Sequence, residues 1–274
     1  MRRPSLAFAA LLIGTAIHAQ DRKVLGRQVT VTVPPTACDN TGIKFWWRIE
    51  SDPLTTGDFY NGGDGDPVLT TMTIDASAPV GFPLGTNVLR SNSNGVVAYA
   101  EFDVTGDDLI DDCTGRVKVR FYWDNAAGWP LPGARIWRHD AGADGRIDLR
   151  ARTTAGYIDI TYRGASSTTT WPNADNAGAF ISANTPHEIE VYYDCSGVGA
   201  TDTLAIRVDG GAAVETNTAS LQNWGVVQPR KLWIGNDGTG TAAVWKGPVY
   251  YDQVIVAGTK TKNLYDCRSL TSYP

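Results

Sequence analysis

The sequence predicts an all-β protein built as an antiparallel two-sheet sandwich. Three observations carry this expectation. Short segments alternate apolar and polar residues with a period of two, the pattern of strands with one buried and one wet face. Turn formers are abundant, with 29 Gly and 14 Pro among 274 residues. The acids are lopsided, 24 Asp against 5 Glu. Asp hydrogen-bonds its own backbone in turns, whereas Glu favours helices. No stretch combines an i, i+3, i+4, i+7 apolar pattern with helix caps.

Taken in chain order, residues 1–19 read as a secretory signal peptide. Arg2 and Arg3 supply the charged start, Leu6 to Ile17 the apolar run, and Ile17-His18-Ala19 a cleavage site. That run is too short to cross a bilayer, and no later segment approaches 18 consecutive apolar residues. An exported chain is expected, secreted, periplasmic or on the cell surface. Residues 20–27 form a lead-in, and 28–274 a single domain long enough to bury a full core. The first strands expected are Gln28–Val33, Ile43–Glu50, Leu69–Ile74 and Val96–Asp103. In the next, Val117, Val119, Phe121 and Trp123 alternate with Arg116, Lys118, Arg120 and Tyr122. Tyr157–Tyr162 follows, then Ile189, Val191 and Tyr193 alternating with Glu188, Glu190 and Tyr192. Leu204, Ile206 and Val208 alternate with Ala205, Arg207 and Asp209, and Lys231–Ile234 and Pro248–Val256 close the series.

Four cysteines, Cys38, Cys113, Cys195 and Cys267, with no C-x-x-C pair, suggest two disulfides rather than a zinc or redox motif. Three connectivities are possible. Cys38–Cys267 with Cys113–Cys195 is preferred, because the first and last strands of a sandwich are often neighbours. The net charge of −5, without a Lys/Arg block, argues against nucleic acid as a partner.

The segment His187-Glu-Ile-Glu-Val-Tyr-Tyr-Asp194, followed by Leu204-Ala-Ile-Arg-Val-Asp-Gly210, resembles the laminin G-like and concanavalin A-like jelly rolls. Leu232–Asn236 and Val249–Val256 are similar to the closing strands of that superfamily. The resemblance covers the second half of the chain well and the first half by strand count alone. It implies two curved antiparallel sheets, often with calcium, used for glycan or protein recognition and in some branches for polysaccharide cleavage.

Hydrolases of this kind carry Glu-x-Asp-x-Glu on one strand. Here Glu101 and Asp103 fit the first two places, but Thr105 stands where the proton donor belongs and cannot protonate a leaving oxygen. An outward-facing acidic strand end is the preferred reading. Lyases on the same scaffold pair a base with a tyrosine; His139, in Arg135-Ile-Trp-Arg-His139, and Tyr250 or Tyr251 are the candidates, without the full motif. His139 reads better as a strand-end turn residue, and His187 as a surface partner of Glu188. No Gly-x-Ser-x-Gly elbow marks a serine nucleophile.

Three acidic turns are candidate calcium sites. The best is the long loop carrying Asp58, Asp64 and Asp66, whose carboxylates repel unless a cation intervenes. Asp140, Asp144 and Asp148 have the spacing of a calcium loop but lack an oxygen at Gly142 and a bidentate Glu at Ala151; Asp103–Asp111 is similar, with Asp108 in place of Gly. No organic cofactor is expected. Of nine tryptophans, Trp46, Trp47, Trp123, Trp137 and Trp233 fall in strand patterns, those of inward phase in the core. Trp129, Trp171, Trp224 and Trp245 fall in turns. An exposed turn tryptophan suits stacking on a sugar ring, and Trp129, Trp171 and Trp245 with Tyr60 are the expected ligand platform.

The function expected is therefore a non-catalytic, lectin-like domain that binds a polysaccharide or glycoconjugate, calcium-assisted. The alternative is an adhesion or surface-assembly protein with a surface-protein partner. A polysaccharide hydrolase or lyase comes last.

Overall fold

The computed structural model describes residues 43–49, 59–60, 67–76, 78–91, 97–103, 114–130, 132–140, 146–163, 168–171, 179–194, 202–219, 231–236 and 245–257. The expected leader, lead-in and first strand, all four cysteines, and Asp58, Asp64, Asp66, Asp144 and Trp224 lie outside the described residues. The chain divides into two compact units, 1–36 and 37–274, and every described residue belongs to the second.

Among the described residues, seventeen strands form two antiparallel sheets that pack face to face as a jelly-roll-type sandwich. The first sheet runs β15 (Val214–Ala219), β14 (Asp202–Val208), β13 (His187–Asp194), β7 (Thr114–Trp123), β17 (Val249–Ala257), β1 (Ile43–Trp47) and β2 (Phe59–Tyr60). The pair β4 (Met72–Asp75) and β5 (Val88–Ser91) joins it through β17. The second sheet runs β11 (Thr168–Trp171), β10 (Tyr157–Arg163), β9 (Arg146–Ala151), β8 (Arg135–Asp140), β16 (Lys231–Asn236), β6 (Ala98–Asp103) and β3 (Val68–Thr70), with β12 (Ala179–Phe180) beside β10.

The alternation places the core. On the first sheet Val117, Val119, Phe121, Ile189, Val191, Leu204 and Ile206 point inward and are fully buried. From the second, Phe102, Trp137, Leu149, Ile160 and Leu232 meet them in one cluster. Phe45 and Trp47 both set ring edges against Phe102. The expected strand Leu69–Ile74 is two strands: Thr71 takes a left-handed turn (φ 53°), so β3 pairs with β6 in one sheet and β4 with β5 in the other. Such a backbone is costly for a β-branched residue and marks the crossing between sheets. The Val208-Asp209-Gly210-Gly211 turn has positive φ at both central residues, 53° and 69°. That is the turn whose twist matches a two-stranded hairpin, and Asp-Gly supplies it at low cost.

The structure adds β2, β5, β9, β11, β12 and β15 to the strands expected, and β8 runs through Trp137, which falls in an expected strand pattern. β8 and β9 have all or most residues buried, so their polar positions are hidden by pairing and not by an apolar phase.

Candidate functional site

Outward-facing residues of the first sheet form a groove of about 340 Å³. Strand register builds it in two rows. Arg116, Tyr192, Ala205 and Glu215 lie directly across β7, β13, β14 and β15. The next row sets Lys118, Glu190 and Arg207 side by side. Ala205, too short to fill its place among larger neighbours, leaves the depression; Ala213 and Glu215 close one side and Thr203 one end.

Glu190 is the electrostatic centre of the groove. Its carboxylate is 4% exposed; Oε1 takes a charge-assisted bond from Arg116, and Oε2 lies 3.9 Å from Arg207. Among the described residues, no donor makes a hydrogen bond to that buried Oε2. A buried acceptor without a donor costs about 1–3 kcal/mol, more when charged. The Arg116 guanidinium also lies over the Tyr192 ring, 5.1 Å from its centre. The Tyr192 hydroxyl donates to Asp194 Oδ2 at 3.1 Å, and Thr114 holds the other oxygen at 2.9 Å. Burial, then the Asp194 charge and hydrogen bond, raise the Tyr192 phenol well above its ordinary range. Its proton is thus held and the ring is a poor base. Two arginines and two glutamates line the groove, so its charges cancel.

Beyond the groove the same face is covered. Phe82 packs on Tyr122 and Tyr250, with ring centres 5.7 and 6.2 Å away. Arg120 Nε donates to the Phe82 carbonyl at 2.7 Å, and the Leu84 N–H donates to Asp252 Oδ2 at 2.7 Å. Beneath lie Lys118, fully buried, and Glu188, 2.6 Å apart. Burial lowers the Lys118 pKa against the opposing pull of Glu188.

The expected aromatic platform is not a platform. Trp245 is buried and donates its indole N–H to the Arg135 carbonyl at 2.8 Å. Trp129 is half-buried, donates to the Arg152 carbonyl at 2.7 Å, and sets its edge against Trp123 with ring centres 4.7 Å apart. Both turns fold back over the end of the core, where the carbonyls of Arg135, at the start of β8, and Arg152, just past β9, accept the two indoles. Trp171 ends strand β11 instead of occupying a turn, opposite Ile160; its side chain, like that of Tyr60 in β2, lies outside the described residues.

The other candidates are also placed. Glu101 is on the second sheet, away from the groove, where it accepts from Lys231 at 2.5 Å and from Trp233 Nε1 at 2.7 Å. Asp103 is exposed at the end of the same strand. Both Glu101 oxygens are thus held, one by a cation and one by an indole. His139 is no turn residue: it is fully buried between the sheets, 3.5 Å from the Tyr193 hydroxyl. Tyr251 is fully buried and Tyr250 lies under Phe82, so neither offers an acid to a substrate. His187 is buried and bonded to Asp209, not paired with Glu188 at the surface.

Asp148 is fixed by arginines. Arg138 Nε lies at 2.6 Å, Arg146 Nε at 3.2 Å and Arg135 Nε at 3.5 Å, while Arg138 also reaches Asp140 at 3.7 Å. Guanidinium groups on both aspartates repel a divalent cation, which removes the reason to read 140–148 as a calcium loop. No group of three metal-ligating side chains occurs among the described residues. No described helix is long and apolar enough to cross a membrane.

The groove could not be seen in the sequence because its residues are adjacent only across strands. The signal available was the polar phase of three strands: Arg116, Lys118 and Arg120 in one, Glu188 and Glu190 in another, Arg207 in a third.

No protein-family profile matches the chain, and no curated protein does. Solved structures share its fold. The chain is similar to the alginate lyase Aly36B at 13% identity and a TM-score of 0.51, covering 81% of this chain and 100% of that one. It is similar to domain 4 of the extracellular arabinanase AbnA of Geobacillus stearothermophilus, in complex with arabinotriose, at 12% identity and a TM-score of 0.51, over 79% and 93% of the two chains. The binding domain of Paraclostridial Mosquitocidal Protein 1 gives 10% identity and a TM-score of 0.52, over 84% and 51%. At these identities the likeness is one of fold.

Proposed function

We propose that the protein is an exported glycan-binding domain, lectin-like and non-catalytic, that holds a sugar chain in the groove across β7, β13, β14 and β15. The observation that carries this reading is the lining of the groove, where the exposed Glu215 carboxylate and the half-buried Arg116 and Arg207 guanidiniums border one depression. A sugar hydroxyl donates to such a carboxylate and accepts from a neighbouring guanidinium. Cancelling charges suit a neutral polyhydroxyl ligand, because each hydroxyl uses a donor and an acceptor together. The groove is open and shallow, which fits a chain passing through it better than a small molecule enclosed on all sides.

Cleavage is a poorer reading of the same residues. The Tyr192 phenol keeps its proton and donates it in a hydrogen bond to Asp194, and Glu190 is held by Arg116, so neither is poised as base or acid. That AbnA domain 4 was solved with arabinotriose supports glycan recognition by this architecture. Calcium enters only as an arm of the test.

A glycan array probed with the full exported chain, with calcium and with chelator, is the direct experiment. Binding to one polysaccharide class is expected, weakened at least ~10-fold in Arg207→Ala and in Glu190→Ala, with the folded state checked by circular dichroism. Silence across the array, or binding untouched by both substitutions, overturns the reading.

A further inference from the structure

A second cluster lies at the ends of β12 and β13, outside the groove and independent of the glycan reading. His187 Nε2 is 3.0 Å from Ser182 Oγ, and His187 Nδ1 is 2.7 Å from Asp209 Oδ2. The Glu188 N–H donates to the remaining Asp209 oxygen, Oδ1, at 2.8 Å. From these contacts we propose that Ser182, His187 and Asp209 form a nucleophile–base–orienter triad that hydrolyses short acyl esters.

Two contacts at His187 Nε2 call for opposite tautomers: the Ser182 backbone N–H donates to it at 2.9 Å, and the Ser182 carbonyl lies 3.1 Å from it. The proposal requires the tautomer with the lone pair on Nε2 and the proton on Nδ1, where it is donated in a hydrogen bond to Asp209. A general base needs that lone pair facing the hydroxyl and its other nitrogen pinned to a carboxylate, and such a set is recognised by geometry and roles, whatever the chain order. Burial pulls the Asp209 carboxyl up, but the His187 hydrogen bond and the Glu188 amide outweigh it and keep it ionised.

The turn that carries the serine is tied down on three sides. Ile181 N–H donates to the Gly156 carbonyl at 2.7 Å, Asn184 N–H to the Trp123 carbonyl at 3.0 Å, and Asn125 N–H to Asn184 Oδ1 at 3.1 Å. Positioning of this kind is prepaid and is not lost on binding. Ser182 is half-exposed, while Asn184 and Thr185 beside it are exposed. An ester carbonyl therefore approaches from solvent, and nothing described encloses a long acyl chain.

The chemistry balances with water alone. Ser182 Oγ bonds to the ester carbon as its proton passes to His187 Nε2. The imidazolium returns that proton to the leaving alcohol oxygen as the acyl C–O bond breaks. Water then attacks the acyl-serine through the same base, releasing a carboxylic acid and restoring the hydroxyl.

The test uses the full exported chain with a fluorophosphonate reporter and p-nitrophenyl acetate. Labelling of one serine, identified as Ser182 by peptide mass spectrometry, is expected. Ester hydrolysis should fall at least ~100-fold in Ser182→Ala, which keeps the backbone contact to His187, and in His187→Gln. Asp209→Asn should change the pH profile of hydrolysis as well as its height, a readout that a purely structural clamp would not move. Absence of labelling in a folded wild-type protein, or hydrolysis that survives Ser182→Ala, overturns the proposal and leaves the three residues as a clamp between the turn and the β14–β15 hairpin.

Discussion

Trp129 and Trp245 meet edge to face with ring centres 5.7 Å apart, Trp245 donating its indole N–H to the Arg135 carbonyl of β8 and Trp129 to the Arg152 carbonyl just past β9. With Trp123 and Phe121 they form an aromatic plug at one end of the sandwich. Trp245→Ala should therefore cost about 3–5 kcal/mol of stability, and Trp245→Phe about 1–3 kcal/mol through the orphaned Arg135 carbonyl and the lost volume. Denaturant unfolding measures both. Glycan affinity of the folded variants should be unchanged; a selective loss of binding without loss of stability would restore the platform reading.

Asp148 sits opposite Arg138 on adjacent strands, both buried on the outer face of the second sheet. Removing one member of a buried pair leaves the other charge uncompensated. Asp148→Ala should destabilise by about 3–5 kcal/mol, and the Arg138→Met, Asp148→Leu double substitution by much less. A double-mutant cycle by urea unfolding decides this; near-equal losses in all three variants would deny the coupling.

Asp252 gives stability a pH dependence. Burial pushes its carboxyl up to about 7, against the Leu84 N–H and Arg120, which pull it down. The folded pKa lies above the unfolded value of about 3.9, so between these values the native state binds more protons. Its contribution is present in full below about pH 4 and is lost as pH rises through 7, by up to about 4 kcal/mol. Asp252→Asn keeps an oxygen for the Leu84 N–H and should flatten the pH dependence of Tm between 4 and 8, with its gain largest at pH 8. An unchanged slope would show that the carboxyl ionises freely.

Thr114 and Asp194 are the last pair of β7 and β13, and their chain neighbours Cys113 and Cys195 lie outside the described residues. We propose the Cys113–Cys195 bond, because the same antiparallel register continued by one residue opposes them. A non-reducing peptide map of the exported protein should yield that linked pair, and Cys113→Ala with Cys195→Ala should cost about 2–5 kcal/mol. A link from either cysteine to Cys38 or Cys267 would refute it.

The sequence by itself determined the strands with clean alternation. Val117 to Trp123, His187 to Asp194 and Leu204 to Val208 each have one apolar phase, and burying that phase leaves a single choice of face. Tertiary structure decided the rest. Whether a turn tryptophan is exposed depends on what closes over it, and at Trp129 and Trp245 a carbonyl from another strand accepts the indole. His139 and His187 look alike in sequence, yet pairing puts one between the sheets and the other on Ser182 and Asp209. Arg116, Tyr192, Ala205 and Glu215 come from four segments up to 99 positions apart, and only strand register sets them in one row. Local alternation is a property of one segment, whereas a site on a sheet is made across segments, through hydrogen bonds between backbones that carry no side-chain signature.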